Sequence, residues 1–171
     1  MADKYPFYRM PVHGATLSGD QRYRYVLWRS WSDAPRILYV GLNPSTADAL
    51  TDDPTIRRMV GFAKRDGHGG IFVCNLFALR ATDPRELRRT ADPVGPRNKA
   101  TLREYGEHAH LVVCCWGCHG TFRHQDRMIL TLLRDLFGHK LYCLGTTKAG
   151  HPKHPLYLSG AAQLVPFGGH R

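Results

Sequence analysis

The chain has 171 residues, 43% of them hydrophobic and 22% charged. That fits one globular domain able to bury a core without staples, and it excludes a collagen-like or wholly disordered polymer. Lys and Arg outnumber Asp and Glu by 24 to 14, a net charge of +10; so large an excess on a small domain repels itself and points to a polyanionic partner, most often nucleic acid, although a basic enzyme of ordinary kind shows the same balance.

The longest apolar runs, LVVCCW and ILTLL, are far shorter than the roughly 20 residues of a membrane span. The start MADKYPFYRM carries no apolar leader segment, so no membrane partner and a cytoplasmic location are expected. Five cysteines, an odd number with Cys114, Cys115 and Cys118 crowded together, make a poor disulfide framework and suit a reducing compartment. With no repeat, low-complexity tract or long linker, residues 1–171 read as a single domain, expected to be a monomer.

Residues 21–31 (QRYRYVLWRSW) alternate Arg with aromatic and apolar residues, the pattern of a half-exposed strand, and the turn at Asp33, Ala34 and Pro35 predicts a hairpin with the next strand. Short apolar runs at 37–41, 71–75, 111–116 and 141–144 predict strands covered on both faces. Between them, Ile56, Met59, Val60 and Ala63 recur at helical spacing after Asp53 and Pro54, which suit an N-cap and first turn, and this helix should end near Gly67. A second helix is predicted over 96–107. A third spans 125–137, with Met128, Ile129, Leu132, Leu133 and Leu136 as its stripe and Gly138 closing it. The alternation predicts an α/β, three-layer αβα domain on a central, mainly parallel four-stranded sheet, with an N-terminal strand or hairpin. In such sheets the ligand site lies beyond the carboxyl ends of the strands.

Four polar segments stand at those ends. The first run leads into Gly41-Leu42-Asn43-Pro44-Ser45, a turn that either redirects the chain or fixes Asn43 at the sheet edge. The second ends in Asn75, whose amide caps a neighbouring backbone or reads a ligand. The third ends in Trp116-Gly117. The fourth leads into a stiff loop with Lys148, His151-Pro152, Lys153, His154-Pro155 and Tyr157.

In this order the four segments resemble the uracil-DNA glycosylase superfamily, whose pattern is Gly-x-(Asp or Asn)-Pro, a strand ending in Asn, a strand ending in Trp-Gly, and a His-Pro loop. The likeness covers about residues 36–158. The whole chain also resembles a domain family of bacteria and phages with the blocks GLNPSTAD, DDPT, NLFALRATDP and GHPKHPLYL, a likeness that implies no activity.

The glycosylase resemblance implies hydrolysis of the N-glycosidic bond of a nucleotide flipped out of duplex DNA, leaving an abasic site. On the family's pattern Asn43 positions the attacking water, His151 or His154 stabilises the departing base, and Asn75 reads its edge, since an amide offers both donor and acceptor. Leu42 belongs to the same base pocket. Phe77, Trp116 and Tyr157 are candidates for stacking, and residues 156–158 form either a wedge or part of the core. Asn43 cannot take a proton, so the chemistry is slower than with Asp or uses another carboxylate: Asp48, Asp52 and Asp53 are near in sequence, Asp48 being the catalytic candidate and Asp53 also suiting a helix cap.

The divergent segment 46–55 suggests a modified pyrimidine as substrate, in defence against phages. A non-catalytic reader of modified bases and a hydrolase of small nucleosides are the alternatives. Ser45, Arg57, Arg58, Arg80, Lys148, Lys153 and Tyr157 flank the site segments, where DNA phosphates would run. Cys114, Cys115, Cys118 and His119 resemble a ligand cluster, but the first two fall within one strand and point to opposite faces, so no metal and no other cofactor is expected.

Overall fold

The computed structural model describes residues 12–83 and 85–168. Residues 1–11, which carry the leader reading, lie outside the described residues. Seven strands form one sheet: β1 (His13–Leu17), β2 (Arg24–Ser30), β3 (Arg36–Gly41), β4 (Gly70–Asn75), β5 (Val112–Cys114), β6 (Leu141–Cys143) and β7 (Val165–Pro166), in the spatial order β1-β2-β4-β3-β5-β6-β7. The pairs β1 with β2, β2 with β4 and β6 with β7 are antiparallel. The pairs β4 with β3, β3 with β5 and β5 with β6 are parallel.

This mixed seven-stranded sheet overturns the expected three-layer αβα domain on a four-stranded, mainly parallel sheet. β2 and β7 run opposite to the parallel strands and extend the sheet on either side, with β1 outside β2, and the two edge strands β1 and β7 carry no apolar run. The expected hairpin is corrected too. β2 pairs backwards with β1 and lies against β4 on its other side, so Arg24 and Arg29 are buried rather than half exposed. A bulge contributes: Leu17 pairs with Arg24 while Thr16 pairs with Val26, which leaves Tyr25 as an extra residue and turns Arg24 out of simple alternation.

Among the described residues four α-helices accompany the sheet: α1 (Pro54–Arg65), α2 (Glu86–Arg89), α3 (Asn98–His108) and α4 (Gln125–Phe137). Asp53 caps α1 by accepting the Ile56 N–H at 2.9 Å, and Pro54 follows, where a missing N–H does no harm. The apolar stripe Ile56, Met59, Phe62 and Ala63 packs with Ile37, Tyr39, Ile71 and Val73 on one face of the sheet. On the other face Leu102 and Tyr105 of α3 and Ile129, Leu133 and Phe137 of α4 pack with Leu38, Val40, Phe72 and Cys74. Burying each such side chain contributes about 1.5–3 kcal/mol.

Cys114 and Cys115 enter opposite clusters, as strand alternation requires. Met128, placed on the stripe of α4 by its spacing, is exposed, and Gly138 continues into a 3-10 turn with φ −52° instead of a left-handed cap. Among the described residues no helix is long and apolar enough to cross a membrane.

The parallel strands β4, β3, β5 and β6 deliver their carboxyl ends to one edge. Gly41 pairs with Asn75, and the ladder runs on past the strands through Leu76 N–H to Gly41 C=O and Phe77 N–H to Leu42 C=O, both 2.9 Å. The segments after β3, β4, β5 and β6 therefore surround one space.

Candidate functional site

That space is a cavity of about 560 Å³, lined by Leu42, Asn43 and Ser45 after β3, Asn75 at the end of β4, Trp116 to His119 after β5, Thr147, Lys153 and His154 after β6, and Asp53, Thr55, Ile56 and Met59 of the α1 segment. Its size is typical of a small-molecule or cofactor pocket.

Asn75 is only 4% exposed, and its Nδ2 has no hydrogen-bond partner. A buried donor without a partner costs about 1–3 kcal/mol, and this one belongs to a residue of the cavity lining. Its position depends on Gly41: a Cβ there would lie 2.8 Å from Asn75 Oδ1. Behind it, the backbone C=O of Asn75 accepts from Asn98 Nδ2 at 2.9 Å, and the C=O of Leu76 accepts from Asn98 and Gln125. Those carbonyls lie where β4 leaves the sheet, so the first residues of α3 and α4 take over the donors a neighbouring strand would supply.

Asn43 is oriented by its own turn. Its Nδ2 donates to Pro44 C=O at 2.9 Å and to Ala81 C=O at 2.8 Å, while Ala81 N–H returns a bond to Pro44 C=O. Both amide hydrogens are thus spent on backbone, and Oδ1, an acceptor, is the group left for the cavity.

The loop after β6 places the two histidines differently. Thr146 bridges Pro152, His151 N–H donates to Thr147 Oγ1, and Gly117 N–H donates to Pro152 C=O. Gly117 has φ +71° and ψ −164°, a conformation essentially reserved for glycine, and it brings the end of β5 against this loop. His154 lines the cavity and His151 does not. Leu156 N–H donates to His154 Nδ1 at 3.3 Å, which makes Nδ1 the acceptor and Nε2 the N–H of a neutral ring. Burial holds the pKa of His154 below the ordinary imidazole value, partly offset by Asp53.

The remaining expected residues divide by location. Leu42, Ser45, Trp116, Lys153 and Tyr157 line the cavity, Tyr157 at 84% exposure with its ring 5.6 Å from that of His154. Trp116 is buried with an unpartnered Nε1. Phe77 is wholly buried against Phe122 in the core and does not reach the cavity. Asp48 lies outside it as well; its carboxylate accepts the N–H groups of Leu50 and Thr51, which hold its pKa low, and it shares a separate groove with Arg80. Arg57 and Arg58 bind the carbonyls of Asp52 and Leu158, and Lys148 is exposed on the loop beyond the lining. Among the described residues no cluster of three or more His, Cys, Asp or Glu is placed to hold a metal ion.

Two further charged residues reach the cavity, one of them expected from the sequence as a helix cap. Asp53 caps α1 and also lines the cavity, so it, rather than Asp48, is the carboxylate there. Arg24 reaches the cavity from β2, a strand whose alternation marks its arginines as solvent-facing. Only the bulge and the pairing with β4 reveal its burial.

Fold and site together define a mixed-sheet protein with helices on both faces and a largely apolar cavity, holding a few unpartnered polar groups, at the carboxyl edge of its parallel strands. Residues 24–156 match the family described as Protein of unknown function (DUF1643), and the chain belongs to that family. No curated protein and no solved structure matches it.

Proposed function

We propose that the protein is a monofunctional DNA glycosylase acting on a flipped, modified pyrimidine, and the observation that carries this reading is the unpartnered Asn75 amide buried in a cavity shared with Asn43 and His154. An amide donor with an acceptor beside it matches the edge of a pyrimidine. Asn43 Oδ1 accepts a hydrogen bond from a water and turns its lone pair toward the sugar. The bond from this water oxygen to C1′ forms as the C1′–N bond breaks, and the bonding pair leaves with the base. The neutral His154 donates its Nε2–H to the base oxygen where that charge gathers, in a site whose groups are already oriented. The water proton passes to solvent, and an abasic site remains.

The net charge of +10 supports a DNA partner, and the exposed Tyr157 of the cavity lining, with exposed Leu156 next to it in the chain, suits the gap left by an extruded nucleotide. Cytoplasmic location, a monomeric state and a defence role belong to the same proposal. A second reading, a non-catalytic reader of modified bases, draws on the Asn43 amide, which has no basic group to offer. Both are tested by incubating the protein with DNA containing uracil, hydroxymethylated, glucosylated or unmodified bases and detecting abasic sites by alkaline cleavage. Release from one class, lost in Asn43→Ala, is the expected result. Tight binding without release from any class replaces the glycosylase reading with the reader.

A further inference from the structure

Arg24 is 2% exposed, yet it is one of the residues that line the cavity. Nη1 donates to Ala47 C=O at 2.6 Å, Nε has no partner, and among the described residues no carboxylate oxygen approaches within the 4.0 Å of an ion pair. Arg29 on the same strand shows what a structural arginine here looks like: it binds Asp52 at 2.7 Å and the carbonyls of Asp48 and Trp28. A buried cation with spare donors and no counter-ion is costly unless a ligand completes it. The lining also includes the apolar Val73, Ile56 and Met59, and its acid, Asp53, already spends an oxygen on capping α1. Burial lowers the pKa of Arg24 to about 10, and it stays protonated at neutral pH.

We propose that Arg24 forms a subsite that recognises a hydrogen-bond-accepting oxygen on a substituent of the extruded base. The inference rests on the cavity taking a nucleobase, as proposed above, and names the feature by which the base is chosen. The guanidinium offers Nε–H and the Nη2 hydrogens side by side, a fork that fits a hydroxyl or carboxyl oxygen and finds no partner in a methyl group of similar size. A base lacking the oxygen leaves the charge buried and unmatched, which is the strongest form of discrimination a pocket can exert.

The test measures binding of DNA duplexes that contain one 5-hydroxymethyl-, 5-carboxyl- or 5-methylcytosine, each on a 2′-fluoro sugar that slows base departure by destabilising the sugar cation. Wild-type protein should bind the oxygenated duplexes at least tenfold more tightly than the methyl one, the two oxygenated arms separating a neutral from an anionic substituent. In Arg24→Met that preference should collapse toward unity while the melting temperature holds or rises, because replacing an unmatched buried charge with an apolar side chain of similar length relieves the fold. Equal binding of the three duplexes by wild type, or a preference kept by Arg24→Met, overturns the subsite. Should Arg24→Met fail to fold, Arg24→Lys, which keeps the charge and loses the fork, must still weaken the preference; a wild-type ratio there overturns it. Base release from 2′-deoxy substrates is read separately. Preference without release removes the glycosylase reading and keeps the subsite, and release without preference does the reverse.

Discussion

Asn43→Asp is the most informative single change, because the site holds an amide where a carboxylate is the chemically stronger choice. The two Nδ2 bonds to Pro44 and Ala81 carbonyls, at 2.9 and 2.8 Å, disappear, and a carboxylate oxygen takes their place against two other acceptors. Each bond contributes about 0.5–1.5 kcal/mol net, and an acceptor left unmatched costs about 1–3 kcal/mol, so the loss is about 3 kcal/mol. For a domain of this size it lowers Tm by roughly 6–12 °C.

Protonation restores a donor to one carbonyl, which raises the folded pKa of the new carboxyl above its unfolded value of about 3.9. The unfolded chain therefore gives up its proton first as pH rises, and the variant loses stability relative to wild type above about pH 4 and recovers part of it below. Urea-unfolding midpoints of wild type, Asn43→Asp and Asn43→Ala at pH 4 and 7.5 measure this, with the gap between the two variants closing at the lower pH. Base release by Asn43→Asp should not exceed that of wild type. Wild-type stability of Asn43→Asp at pH 7.5 would refute the orientation argued for the amide.

Gly41→Ala should leave the fold intact, at about 1 kcal/mol, since its Cβ meets only the tip of the Asn75 side chain at 2.8 Å; base release should fall at least tenfold, which kinetics beside a thermal melt will show. Protonating His154 removes the acceptor for Leu156 N–H and its neutral form, so release should decline as pH drops below the ordinary histidine range, and His154→Gln should flatten that limb of the profile. His68, buried with His110 5.7 Å away, also has its pKa lowered, chiefly by burial. Because the unfolded state takes up protons at both His68 and His154 that the native state resists, stability should fall as pH decreases through about 6.5, and His68→Gln should reduce the drop in the unfolding midpoint between pH 7 and 5. Affinity for duplex DNA should fall steeply with salt; a flat dependence between 50 and about 200 mM would argue against phosphate contacts.

Local chemistry determined much of this protein from sequence alone. Asp53 and Pro54 start α1, its apolar stripe sets the buried face, and the apolar runs at β3 and β4 form strands, because capping, helical period and strand alternation act between residues a few positions apart. The same locality marks the turn at Asn43, the strand end at Asn75 and the His-Pro loop as unusual. Tertiary structure alone decided what those segments do to each other. The order and direction of the seven strands depend on edge pairings that β1 and β7, lacking an apolar run, do not announce. Arg24 is buried by a bulge and by β4, and the Asn43 amide is turned by Ala81, 38 residues away. His154 rather than His151 enters the cavity because Thr146 pairs with Pro152 and Gly117 hydrogen-bonds to Pro152, fixing the register of the loop. Apart from the bridge within the loop, these pairings join residues distant in sequence, and no periodicity in the chain encodes them.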